Sequence, residues 1–301
     1  MKHRLYRIFA ILALLCSAAG AQAQELFVYP TPPDSMQTLQ QRSDYFISRF
    51  WDRCNFGSAM ANPVKFNKSF GDWLSLMPHA SADTVHAAVN KLLKRFEKQG
   101  PETLALVNMA ENWMWSDTAS MHSEELYTPF VRAAVANKKI SKAEKARYQA
   151  QLKILESSAV GATVPDFTFI RPDGTTGRLS DAAEGASVLI FVNDPDCDDC
   201  RMARVRLSAD VNTRDLIDKG RLTLISLLPD EPNAEWREAA AAYPENWVVG
   251  AMEDADTLFD LRYPPVFIYL DSDHKVLAKG LDIDHLLGAF RVANTQKRRN
   301  R

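Results

Sequence analysis

Ser187-Val188-Leu189-Ile190-Phe191-Val192-Asn193-Asp194-Pro195-Asp196-Cys197-Asp198-Asp199-Cys200 decides how the second half of this 301-residue chain is read. The stretch through Val192 is apolar, rich in β-branched side chains and too short for a helix, which predicts a strand buried on both faces. Asn193, Asp194 and Pro195 end it. From Cys197 onward Met202, Val205 and Val211 recur at roughly helical spacing, so both cysteines are expected in the first turn of a helix ending near Gly220. Unpaired N–H groups at a helix start favour a nearby negative charge. The more exposed, N-terminal thiol, Cys197, is therefore expected to ionise below its free pKa of about 8.5 and to act as a nucleophile. Cys200, one turn on, is placed to attack a mixed disulfide at Cys197 and release the partner.

Strand, loop and Cys197-Asp198-Asp199-Cys200 at a helix start resemble the active site of thioredoxin-like proteins. Tyr263-Pro264-Pro265-Val266-Phe267-Ile268-Tyr269-Leu270-Asp271 resembles the family segment in which a cis-proline opens a strand facing the cysteine pair. Alignment to that pattern puts the cis-proline at Pro265. Pro165-Asp166-Phe167 and a hairpin ahead of the cysteine strand resemble the peroxiredoxin and cytochrome-maturation branch of the family, which includes exported TlpA-like thiol-disulfide oxidoreductases. The resemblance implies disulfide exchange with protein thiols and disulfides, with Cys197 as nucleophile, Cys200 as resolving thiol, and Pro264 and Pro265 shaping the docking surface. It implies no cofactor beyond the cysteine pair, and an electron donor that it does not identify.

Departures from the family pattern bear on the chemistry. Asp196 stands where an aromatic residue often precedes the first cysteine, and Phe191 where the family has a buried acid. Asp194, Asp196, Asp198 and Asp199 surround the thiols, and like charge disfavours a thiolate. Helix-start N–H groups, Arg201 and Arg204 oppose them, so the depression at Cys197 is expected to be modest. A poorly stabilised thiolate makes the disulfide relatively more favourable, which predicts a couple on the reducing side. Pro264 has no N–H, so a partner strand loses one of the backbone hydrogen bonds this position supplies in the family.

Spacing weighs against several rival readings. A c-type haem site needs His after the second cysteine, where Arg201 stands. Zinc needs two further ligands at suitable spacing, and the chain has neither a second Cys-x-x-Cys nor a close His pair. Asp194-x-Asp196-x-Asp198 imitates a calcium loop but has Asp199 in place of the glycine and Val205 in place of the terminal glutamate. A purely structural disulfide closing so small a loop gains little from loop-closure entropy. A peroxidase lacks its single peroxidatic cysteine. Cys54, among Phe50, Trp51 and Phe56, reads as a buried apolar residue.

At the start, Lys2, Arg4 and Arg7 precede an apolar run from Ile8 to Gly20 and then Ala21-Gln22-Ala23, the pattern of a secretory signal peptide cleaved near Ala23. That predicts a periplasmic protein with no membrane span after cleavage. Leu15 before Cys16 argues against a lipoprotein. Cleavage removes three of the 36 basic residues and none of the 38 acidic ones, taking the net charge below −2 and leaving no electrostatic case for nucleic acid.

The mature chain, about 278 residues, is longer than one core usually organises, so two domains are expected. The expected layout is a signal peptide over 1–23, an all-α helical domain over 24–158, an α/β thioredoxin-like domain over 159–295 with a central mixed sheet, flanking helices and an N-terminal β-hairpin, and a basic tail over 296–301. Helical signals include Ser81 ahead of Val85, Val89, Leu92 and Phe96, the Gly100-Pro101 break, and Ser141-x-x-Glu144. Trp73, Trp113 and Trp115 read as core. In the α/β part, strands are expected at 222–228, 247–249 and 275–278, helices at 233–242 and from Asp284 to about Val292. The helical domain resembles an uncharacterised domain that precedes thioredoxin-like domains in exported bacterial proteins. A second class of function is therefore a non-catalytic scaffold whose helical domain captures a partner.

Overall fold

The computed structural model describes residues 26–182 and 185–299. The expected signal peptide, its cleavage site, Cys16 and the end of the basic tail lie outside them. The chain divides into two compact units, the first ending at Trp113 and the second running Met114–Arg301.

In the first unit, α1 (Leu39–Arg49), α2 (Phe56–Met60), α3 (Pro63–Leu74), α4 (Ala82–Phe96) and α5 (Gly100–Met114) follow one another. Their starts are set by short polar side chains. Thr38 forms a capping box with Gln41, and Asn55, Asn62 and Ser81 each accept the backbone N–H three residues on. The apolar faces bury Phe50, Phe66, Phe70, Trp73, Leu92 and Phe96. The buried Trp73 indole donates to Ile47 O at 3.2 Å, so its one polar atom is satisfied. Gly71 lies against the Trp113 ring, where a Cβ would come within 2.4 Å. Cys54 is buried, as its neighbours led one to expect, and burial pushes its thiol up to about 11.

The second unit begins with α6 (Glu124–Ala136), capped by Ser123, and α7 (Lys142–Ser157), started by the expected capping box of Ser141 and Glu144. Then come β1 (Thr168–Ile170), β2 (Thr176–Arg178), α8 (Leu179–Ala182), β3 (Ser187–Val192), α9 (Asp198–Ala209), α10 (Val211–Asp218), β4 (Leu222–Leu228), α11 (Ala234–Ala240), β5 (Val248–Ala251), β6 (Val266–Leu270), β7 (Val276–Lys279) and α12 (Ile283–Arg299). Among the described residues these strands form one seven-stranded sheet, ordered β2-β1-β5-β4-β3-β6-β7. β3, β4 and β5 are mutually parallel; β6 runs antiparallel to β3, and the β1–β2 hairpin forms one edge. The layout is a helical N-terminal region followed by a mixed sheet with helices.

β3 is covered on both faces, as its unbroken apolar run predicts. Val188, Ile190 and Val192 point into a core with Phe169, Ile225, Leu227 and Ile268. Leu189 and Phe191 point the other way, onto Ala203 and Leu207 of α9, Leu216 of α10 and Phe290 of α12. Each such fully buried side chain is worth about 1.5–3 kcal/mol of transfer free energy, so the strand carrying the cysteines is anchored rigidly.

The structure differs from the expected elements in places. The cysteine helix does not run to Gly220. Asp210 leaves helical geometry (φ −71°, ψ 123°), ends α9, and its carboxylate accepts the N–H (2.7 Å) and hydroxyl (2.9 Å) of Thr213 to start α10. α12 continues to Arg299 rather than stopping near Val292, so Lys297, Arg298 and Arg299 extend a helix. The first hairpin strand is Thr168–Ile170 rather than starting at Pro165: Asp166 lies outside it and accepts hydrogen bonds from Arg178 and from the backbone and hydroxyl of Ser180. The first compact unit ends at Trp113, whereas the composition puts the join near residue 158.

Candidate functional site

β3 ends at Val192 and the chain turns through Asn193 to Asp196 before α9 begins. Asp194 builds that turn: its carboxylate accepts the Asp196 N–H (2.8 Å) and its carbonyl the Cys197 N–H (3.2 Å). Cys197 is the N-cap of α9, and its Sγ accepts the Cys200 N–H at 3.0 Å. One sulfur thus takes the place that a Ser or Asp oxygen usually fills at a helix start, where unpaired N–H groups stabilise negative charge on it. Cys197 and Cys200 are joined in a disulfide with Cα atoms 5.2 Å apart. Cys197 is partly exposed and Cys200 is 1% exposed, so the first sulfur is the more accessible of the two.

Asp194, Asp196, Asp198 and Asp199 are all exposed around this turn. They do not act as one block of charge. Asp194 is used in the turn, and Asp198 is ion-paired with Arg201 one turn along α9. Arg204 lies over the Tyr243 ring at 4.6 Å. The position that the resemblance assigns to a buried acid holds a fully buried Phe191 stacked on Phe267, ring centroids 5.2 Å apart.

The Pro264–Pro265 peptide is cis, the isomer that the family resemblance implied. Val192 pairs with Val266, which sets Pro265 beside the C-terminal end of β3, the end from which the chain runs to Cys197.

A polar network under the loop escaped the sequence reading. Asn193, 5% exposed, donates through Nδ2 to Phe191 O (3.0 Å) and Ser226 Oγ (2.7 Å) and accepts from Tyr243 Oη (2.9 Å). It ties the end of β3 to β4 and to the chain after α11. A polar residue directly after an apolar strand was the one signal available, and it reads equally well as a turn.

A second cluster joins the loop that leads into Pro264 to the start of α6. His122, Glu124 and Asp260 bring ligand-type atoms within 4.8 Å of one another, as a metal site would. Each carboxylate already has a cation, Arg262 on Asp260 and Lys279 on Glu124, so the charges balance without a metal. Burial would push the Asp260 carboxyl up, but the hydrogen bonds and charge of Arg262 outweigh it and hold it below the usual range. Burial and the neighbouring Arg262 push the His122 imidazole down.

Against known proteins, residues 16–158 match a family described as a domain of unknown function, DUF5106. No curated protein matches the chain. Among solved structures, a thioredoxin-like protein from Bacteroides caccae shares 23% identity, with 89% of this chain and 99% of that one covered, at a TM-score of 0.75. The fold is thioredoxin-like. The C-terminal domain of an uncharacterised protein from Bacteroides fragilis (24% identity; 45% of this chain, 99% of that one; TM-score 0.42) and the thioredoxin domain of a thiol-disulfide oxidoreductase from Bacteroides vulgatus (23%; 45% and 98%; 0.39) match only the smaller share of the chain.

Proposed function

We propose that this protein is an exported thiol-disulfide oxidoreductase that exchanges disulfides with protein partners through Cys197 and Cys200, on the reducing side. The observation that carries the reading is the Cys197 sulfur at the helix start, partly exposed, accepting a backbone N–H and bonded to a buried Cys200. A structural staple needs neither the exposed sulfur nor the thiolate-stabilising position. Export rests on the N-terminal sequence; among the described residues no helix is long and apolar enough to cross a membrane.

In the reduced enzyme the Cys197 thiolate attacks one sulfur of a partner disulfide. A Cys197–partner S–S bond forms, the partner's own S–S bond breaks, and the departing partner thiolate takes a proton from solvent. Cys200 then gives up its proton and attacks the Cys197 sulfur, forming the intramolecular disulfide and expelling the second partner thiolate, which is protonated in turn. Two electrons and two protons pass from the cysteine pair to the partner. A donor dithiol reverses the sequence and restores the pair. With Phe191 in place of an acid, the Cys200 proton leaves to solvent rather than to a buried carboxylate. Pro265 shapes the docking surface, and Pro264 offers a backbone acceptor but no donor. Asp196, Asp198, Asp199 and Arg201 tune the Cys197 thiolate electrostatically.

Insulin reduction with dithiothreitol as donor tests this on wild type, Cys197→Ser and Cys200→Ser. Turnover in wild type, its loss in both variants, and a covalent insulin adduct accumulating on Cys200→Ser are expected. Inert cysteines in a normally folded chain would overturn the reading and turn attention to the scaffold alternative.

A further inference from the structure

The residues just before Pro264 are held by a segment that precedes the thioredoxin-like fold in sequence and belongs to the matched domain of unknown function. Arg262 grips Asp260 with two hydrogen bonds, 2.7 Å from Nε and 2.6 Å from Nη2, while its backbone N–H reaches the same carboxylate at 3.2 Å. The guanidinium of this pair lies 3.5 Å from the centre of the Trp115 ring. Trp115, 7% exposed, is itself fixed by stacking on Tyr127 (5.6 Å) and on His122 (6.1 Å). Tyr263 is tied to the same segment twice: its hydroxyl donates to Ser116 O at 3.2 Å and its ring meets His122 edge-on at 5.1 Å. At the start of the loop, Ser157 Oγ donates to Leu258 O at 2.7 Å.

One such contact would be ordinary packing. Here directed contacts converge on residues 258–263, and the central ion pair is largely buried, with side chains 10% and 23% exposed. Burying an ion pair gains little stability over an apolar contact of the same size; its distinctive contribution is a defined geometry. Geometry matters at this loop because Arg262 and Tyr263 run directly into Pro264 and Pro265, the residues that the proposed function places at the docking surface. Since Pro264 supplies only a carbonyl to a docking strand, the direction in which that single acceptor points has to be set by the loop itself.

We infer that Trp115 and Arg262 are positioning residues for the redox site, through which the 115–127 segment orients Tyr263-Pro264-Pro265 to receive the extended, disulfide-bearing segment of a partner protein. The inference rests on the oxidoreductase reading and gives part of the domain of unknown function a role in partner recognition. It assigns neither residue to the electron-transfer chemistry, which belongs to Cys197 and Cys200.

The test uses the full chain and two probes, insulin as a protein disulfide and glutathione as a small one. In Trp115→Ala and Arg262→Ala, KM for insulin is expected to rise about tenfold with kcat little changed, the signature of lost binding, while exchange with glutathione stays within about twofold of wild type. Trp115→Phe, which keeps the stacking face, is expected to restore most of the insulin KM. Wild-type insulin KM in both alanine variants would overturn the inference, and so would a parallel loss of insulin and glutathione exchange. If Trp115→Ala fails to fold, Arg262→Lys, which keeps the charge but not the planar fork, is judged by the same criteria. Wild type inert to both probes would instead defeat the oxidoreductase reading on which the inference stands.

Discussion

Replacing Asn193 with Ala removes the polar knot under the cysteine loop, and the structure sets the size of the effect. Three hydrogen bonds are lost, to Phe191 O, Ser226 Oγ and Tyr243 Oη. At a net value of about 1 kcal/mol each they total about 3 kcal/mol. Ser226 is 2% exposed and cannot turn to water, whereas Tyr243 is only part-buried and can. Leaving the Ser226 hydroxyl orphaned adds about 1 kcal/mol or more, for a total of roughly 3–5 kcal/mol. Removing Ser226 as well abolishes that orphan, so Asn193→Ala/Ser226→Ala is expected to be less destabilised than the sum of the single variants by about 1–2 kcal/mol. Urea unfolding followed by circular dichroism measures all three variants. Destabilisation below about 1 kcal/mol in Asn193→Ala, or strict additivity in the double variant, would refute the claim that these groups act as one network.

Three further outcomes are expected. Gly250→Ala puts a Cβ 2.4 Å from the Phe169 ring, which is wedged between this glycine and Gly177, and overpacking there is expected to cost about 1–3 kcal/mol by thermal or urea melts. His122 is pushed below its ordinary value of 6.5 by burial and Arg262, so the folded state binds fewer protons than the unfolded one just below that pH; its contribution to stability is complete above 6.5 and is lost as pH falls toward the folded value. Melting temperatures compared across that window should fall with pH more in wild type than in His122→Gln. Finally, with its thiol at about 11, Cys54 is expected to resist iodoacetamide at about pH 8, where roughly one molecule in a thousand is thiolate, while Cys197 in the reduced protein is alkylated; mass spectrometry of digests locates the label.

The α/β half of the molecule was legible because its signals are local. An apolar run too short for a helix, a polar turn and two cysteines one turn apart identify β3, the loop and α9 within a few consecutive residues, and the strand's burial follows from the run itself. The cap at Ser81 and the capping box at Ser141 were legible for the same reason, since a cap is a relation between neighbours. The break at Asp210 was missed because apolar residues continue at helical spacing across it, and only the Asp210-x-x-Thr213 pair marks the restart. What joins distant parts of the chain left no trace in any window. Asn193 meets Ser226 and Tyr243, and Trp115 meets Arg262, through tertiary packing alone. Trp115 was expected in a core and is buried; its burial under Arg262, a charged side chain from far along the chain, is what spacing could not express. The cis state of Pro265 came from resemblance, since most X–Pro bonds are trans.

The most direct test of the account is the equilibrium of the Cys197–Cys200 pair in glutathione redox buffers, read by alkylation and mass. The account predicts one reversible two-electron transition, lost in Cys197→Ser and in Cys200→Ser, with a potential nearer the thioredoxin value of about −270 mV than the strong-oxidant value of about −120 mV. A pair that stays oxidised and inert across the buffers would contradict the oxidoreductase itself, and a reversible pair close to the strong-oxidant value would contradict its placement on the reducing side.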